Sequence, residues 1–87
     1  MVHCQIGGRD IAAFYDPSVG LNMISSSFLA RSLPNVHLIP TNQCLRDPEG
    51  NILDSQGIVK MVPTLLDDIK VLLDFYVFYV ATFTVLI

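Results

Sequence analysis

The stretch Ile11-Ala12-Ala13-Phe14-Tyr15-Asp16-Pro17-Ser18-Val19-Gly20-Leu21-Asn22-Met23-Ile24-Ser25 decides the reading of this chain. An apolar run of strand length ends in a carboxylate, a turn follows, and a second apolar run, Leu21 to Ile24, leaves the turn. Asp16 therefore stands at the mouth of a core. Locally, Asp16-Pro17 reads as a turn initiator, because an Asp side chain bonds backbone amides two residues on.

Outward from this stretch, turn-forming residues cut the chain into strand-length pieces. Val2 to Ile6 and Ile11 to Tyr15 flank Gly7-Gly8-Arg9-Asp10, a hairpin whose turn uses the positive backbone angles of glycine. Asp47-Pro48-Glu49-Gly50 has the composition of a type I turn and predicts a second hairpin over Gln43 to Leu53. Asp67-Asp68 separates Ser55–Leu66 from Ile69–Val80 and predicts a third, with Pro63 confined to an edge or a bulge. The one helical candidate is Ser25 to Leu33, capped by Ser25 or Ser26, with Phe28, Leu29 and Leu33 on one face and Pro34 as the stop.

The last 17 residues, Val71 to Ile87, carry five of the eight aromatics and a single charge, Asp74. A spanning helix needs about 20 mostly apolar residues and is penalised by a central Asp. The Val, Thr, Ile, Phe and Tyr content predicts strands instead, over Lys70–Tyr79 and Phe83–Ile87. Composition agrees with a single mostly β domain spanning residues 1–87. The 87 residues are 52% apolar and 15% charged, with a net charge of -3. Five scattered cations, Arg9, Arg31, Arg46, Lys60 and Lys70, make no basic patch, which argues against nucleic-acid binding.

Other chemistries find little support. Cys4 and Cys44 stand 40 positions apart without a zinc-ligand pattern, and with no secretory leader in sight they read as reduced thiols of a cytoplasmic chain. His3 and His37 each fall on a predicted strand with no partner at ligand spacing. Asp67, Asp68 and Asp74 read as solvated turn residues, and Ser25-Ser26-Ser27 as helix capping. No metal or cofactor is expected.

Taken together, the pattern resembles the retropepsin-like aspartic proteases of plant retrotransposons, in which the strand ends in Asp-Thr-Gly or Asp-Ser-Gly followed by Ala-Ser-x-Asn-x-Ile-Ser. Asp16, Asn22, Ile24 and Ser25 match that motif. Leu72-Leu73-Asp74-Phe75-Tyr76-Val77 is similar to the family's Leu-Asp-Phe-x-Val, and Phe83-Thr84-Val85-Leu86-Ile87 to its Phe-Asp-Val-Leu-Ile. The resemblance implies a half-barrel of short antiparallel strands with one short helix. It further implies a catalytic Asp16 in an active-site loop of Pro17, Ser18, Val19 and Gly20, and a substrate-covering flap of Arg46, Asp47, Pro48, Glu49, Gly50 and Asn51. Its partners would be a peptide or polyprotein substrate and a second identical subunit, since one aspartate per chain builds a dyad only across a two-fold axis.

The chain departs from the family at three places. Pro17 replaces the hydroxyl residue that braces the active-site loops, Ser18 replaces the glycine, and the family's closing Gly, helix and dimerisation strand would lie beyond Ile87. Ser18 offers a hydroxyl one residue later, which could compensate for Pro17. Two other classes compete with a protease: an inactive peptide-binding or dimerisation module on the same fold, and a small membrane-associated protein built on residues 71 to 87.

Overall fold

Two left-handed glycines, Gly7 (φ +59°) and Gly8 (φ +77°), turn β1 (Val2–Ile6) directly into β2 (Arg9–Ala13). The turn is thus two residues long rather than four. Positive φ at both central positions gives the twist that suits a tight hairpin, so Arg9 and Asp10 join the strand, opposite Ile6 and Gln5. This computed structural model describes residues 1–46, 49–80 and 83–87.

After the Asp16 loop come β3 (Met23–Ser25) and the single described helix, α1 (Ser26–Ser32). Ser25 caps it, its Oγ accepting the Phe28 N–H at 3.3 Å, and the helix buries Phe28 and Leu29. The expected cap, apolar face and stop before Pro34 are all present. A separate two-stranded hairpin follows, β4 (Cys44–Arg46) and β5 (Ile52–Asp54), then the long pair β6 (Gly57–Leu66) and β7 (Ile69–Phe78), and lastly β8 (Val85–Leu86).

The main sheet runs in the order β2-β1-β6-β7-β3-β8. Its neighbours pair antiparallel except β3 with β7, which are parallel through Met23↔Tyr76, Ile24↔Val77 and Ser25↔Phe78. Beyond β2 the chain pairs parallel with β8 at Phe14↔Leu86, so the two ends of the strand order meet and the sheet curls into a nearly closed barrel. The mostly β architecture of short, mainly antiparallel strands with one short helix expected from the sequence is the one observed, with these two parallel contacts as its additions.

Core side chains alternate along β1, as a two-residue period requires, and depart from it at the β6 bulge, in β3 and at the end of β7. Cys4 and Ile6 from β1, Ile24 from β3, Val59 and Val62 from β6, Phe75 and Val77 from β7 and Val85 from β8 pack with Phe28 and Leu29 of the helix. The apolar run of β7 has two causes. Phe75, Val77 and Phe78 are fully covered, whereas Ile69 and Leu72 near its start are 66% and 58% exposed.

The strand β6 bulges between Val59 and Val62. Met61 there adopts φ +56°, uncommon for a side-chain-bearing residue, and its N–H is held at 2.8 Å by the Asp74 carboxylate. Asp74 is therefore an exposed mid-strand residue that pins a bulge, not a turn residue. Pro63 lies between this bulge and the stretch paired with β1, which begins at Thr64.

Candidate active site

Asp16 sits where the continuation of β2 meets β8. Phe14 N–H donates to Val85 O at 3.0 Å, Ile87 N–H to Phe14 O at 2.8 Å, and Asp16 N–H to Ile87 O at 2.8 Å. These three bonds fix the backbone on which the carboxylate is carried. The side chain is half-buried. The sequence predicts the strand at Phe83–Ile87 but gives no sign that it grips the Asp16 backbone, because strand pairing partners leave no local trace.

The loop from Pro17 to Gly20 is organised around the carboxylate. Asp16 Oδ1 accepts the Ser18 N–H at 3.1 Å and the Ser18 hydroxyl at 2.5 Å. The first contact is the turn-initiating bond expected from the local pattern, and the second commits the Ser18 hydroxyl to Asp16 of its own loop. Asp16 O accepts the Val19 N–H at 3.3 Å. The left-handed position of this loop falls on Gly20 (φ +75°), while Ser18 keeps an ordinary φ. A Cβ at Ser18 is therefore tolerated, because the conformation that favours glycine is taken two residues later.

Asn22 fastens the exit of the loop to β7. Its Nδ2 donates to Asp74 O at 3.3 Å, and its own backbone carbonyl accepts the Tyr76 N–H at 2.9 Å. Ile24 is wholly buried and Ser25 caps the helix. The three residues that match the motif after Asp16 thus serve as a clasp, a core side chain and a cap, which together locate the loop against β7.

The residues expected to form the flap fall on β4–β5, a two-stranded hairpin separate from the main sheet. Its register is Cys44↔Asp54, Leu45↔Leu53 and Arg46↔Ile52, with Leu45 and Leu53 half-buried and the other four side chains exposed. Ser55 N–H closes its base on Gln43 O at 3.0 Å, and Ile39 and Ile58 exchange backbone hydrogen bonds at 2.8 Å just beyond it. Near the tip Arg46 donates to Gly50 O at 3.4 Å, and Gly50 takes φ +88°. Glu49, Gly50 and Asn51 lie in the exposed tip, while Asp47 and Pro48 fall outside the described residues.

The remaining candidates resolve simply. His3 lies on β1 and faces Asp10 at 3.3 Å, with both side chains exposed. His37 lies in an irregular segment rather than on a strand, the chain having left α1 at Pro34. Burial pushes the Cys4 thiol above its ordinary range, whereas Cys44 is exposed on the flap hairpin. Among the described residues no cluster of three His, Cys, Asp or Glu side chains could hold a metal ion, and no helix is long and apolar enough to cross a membrane. An apolar groove of about 520 Å³ lies away from Asp16, between the Gly7-Gly8 turn, Leu33, and the Pro63–Leu65 and Lys70–Leu72 stretches.

The curled, nearly closed sheet with one short helix and a separate two-stranded hairpin is a retropepsin-like fold. The crystal structure of the retroviral protease-like domain of Ddi1 from Leishmania major aligns with a TM-score of 0.75 over 99% of this chain and 68% of that chain, at 19% sequence identity. No family model matches the sequence, and no curated protein matches it at a significant level.

Proposed function

We propose that this chain is a subunit of an aspartic endopeptidase, descended from a plant retrotransposon polyprotein, in which Asp16 of two identical subunits hydrolyses a peptide lying beneath the 44–54 hairpins. The observation that carries this reading is the half-buried Asp16 carboxylate at the junction of β2 and β8, held by its own loop on a backbone bonded to Ile87. One such carboxylate per chain needs a symmetry mate. Two carboxylates about 3 Å apart cannot both ionise cheaply, so a single proton is shared between them. The ionised member takes a proton from the water between them as that water attacks the peptide carbonyl, and the protonated member donates to the carbonyl oxygen. The hairpin covers the substrate and excludes bulk water. Agreement at Asn22, Ile24, Ser25 and Phe83 to Ile87 supports the retrotransposon descent.

The test is cleavage of a peptide library at mildly acidic pH by the chain at concentrations spanning its self-association. Cleavage that rises with dimer content and falls to background in Asp16→Asn is expected. That replacement is nearly isosteric, so the unfolding midpoint should confirm an intact fold. Cleavage that persists in Asp16→Asn, or its absence from a demonstrably dimeric wild-type chain, overturns the proposal. Peptide binding without any hydrolysis would transfer the domain to the non-catalytic class.

A further inference from the structure

We infer that Ser18 is a positioning residue that orients the Asp16 carboxylate from within its own subunit. The inference rests on the peptidase reading for its catalytic consequence, but its structural content belongs to the single chain.

Both contacts from Ser18 fall on the same oxygen, Oδ1, through the backbone N–H at 3.1 Å and the hydroxyl at 2.5 Å. A carboxylate oxygen has two lone pairs directed at donors, and here each has one. Two donors from one residue therefore hold Oδ1 in place and fix the orientation of the Asp16 side chain.

The source of the donors matters as much as their number. Pro17 has neither hydroxyl nor N–H, so the adjacent position supplies nothing. A serine hydroxyl has one proton, and in Ser18 it is committed to Asp16 of the same chain. Backbone bonds from Asp16 N–H to Ile87 O and from Val19 N–H to Asp16 O hold the main chain, while Ser18 holds the side chain. The carboxylate is thus oriented before any second subunit arrives, and dimerisation brings together two groups that are already set.

The experiment compares wild type with Ser18→Ala and Ser18→Thr. Ser18 is exposed and takes an ordinary φ, so both variants should fold, with unchanged unfolding midpoints as the check. The first readout is the Asp16 side-chain carboxyl carbon resonance at fixed pH over a dilution series. At the dilute, monomeric end of the series it should move in Ser18→Ala relative to wild type, and return towards the wild-type position in Ser18→Thr. The second is peptide cleavage. Loss of carboxylate placement should lower kcat by about 10- to 100-fold with KM changed less than about 2-fold, and Thr should restore most of kcat. A Ser18→Ala monomer resonance identical to wild type, or a kcat untouched by Ser18→Ala, overturns the inference. If no wild-type cleavage is found, the peptidase reading fails while the resonance still decides the role of Ser18.

Discussion

The contact between the first hairpin turn and the end of α1 gives a quantitative test of the packing. Gly7 and Gly8 are neighbours with similar left-handed φ values, +59° and +77°, yet their surroundings differ. A Cβ built on Gly8 meets nothing within 4 Å, whereas one on Gly7 falls 2.7 Å from Ser32 O and 3.3 Å from Ser32 C and Cβ. In Gly8→Ala only the left-handed backbone cost applies, about 1–2 kcal/mol. Gly7→Ala incurs that cost together with an overpacking cost of about 1–3 kcal/mol, because the opposing atoms are mainly helix backbone and cannot rotate away. The pair should therefore differ by about 1–3 kcal/mol, with Gly7→Ala the less stable. For a domain of this size each kcal/mol lowers Tm by about 4–8 °C. Urea titration of both variants with a common m-value, checked by thermal melts, measures the difference directly. Equal destabilisation would refute the docking of the turn on Ser32, and a stable Gly7→Ala would refute the turn geometry itself.

Ser25→Ala, which removes the α1 cap, should cost about 1 kcal/mol and reduce helical circular dichroism, and an unchanged denaturation midpoint would contradict the cap. Phe75→Ala, at a fully buried core position, should cost about 3–5 kcal/mol, a large share of the roughly 5–15 kcal/mol available to a small domain. Asp74→Ala removes the acceptor of the Met61 N–H at the bulge, so hydrogen exchange at that amide should accelerate, with Asp74→Asn intermediate. Of the two thiols, Cys44 should react quickly with a disulfide reagent and Cys4 only as the protein opens. Burial raises the Cys4 thiol from its ordinary value of 9.0. The unfolded chain therefore loses that proton first, so Cys4 contributes a stability that is complete below about pH 8 and declines as pH rises through the ordinary thiol range. The slope should flatten in Cys4→Ala.

Much of the architecture was legible because it is written in local chemistry. Ser25, Phe28, Leu29 and Pro34 specify a capped, one-faced, terminated helix within ten residues, and the flanks of Asp67-Asp68 specify a hairpin. Where the reading slipped, a partner distant in sequence decided the outcome. Asp74 is an exposed charge that reads as a turn residue, yet it lies on β7, where the bulge at Met61, 13 residues away, turns its N–H toward it. His37 lies among residues that suit a strand, yet the regular pairing of that segment is confined to the bridge at Ile39 and Ile58.

The candidate site divides in the same way. That an apolar run leads into Asp16, that Pro17 removes a donor and that Ser18 supplies one all follow from the order of residues along the chain, because side-chain chemistry and turn preference act over two or three positions. That residues 85–87 clamp the backbone of Asp16, that β3 runs parallel to β7, and that both Ser18 donors converge on one carboxylate oxygen were decided by the closing of the sheet. Hydrogen bonds between strands about 70 residues apart depend on how the barrel curls, and no short stretch of sequence encodes that curvature.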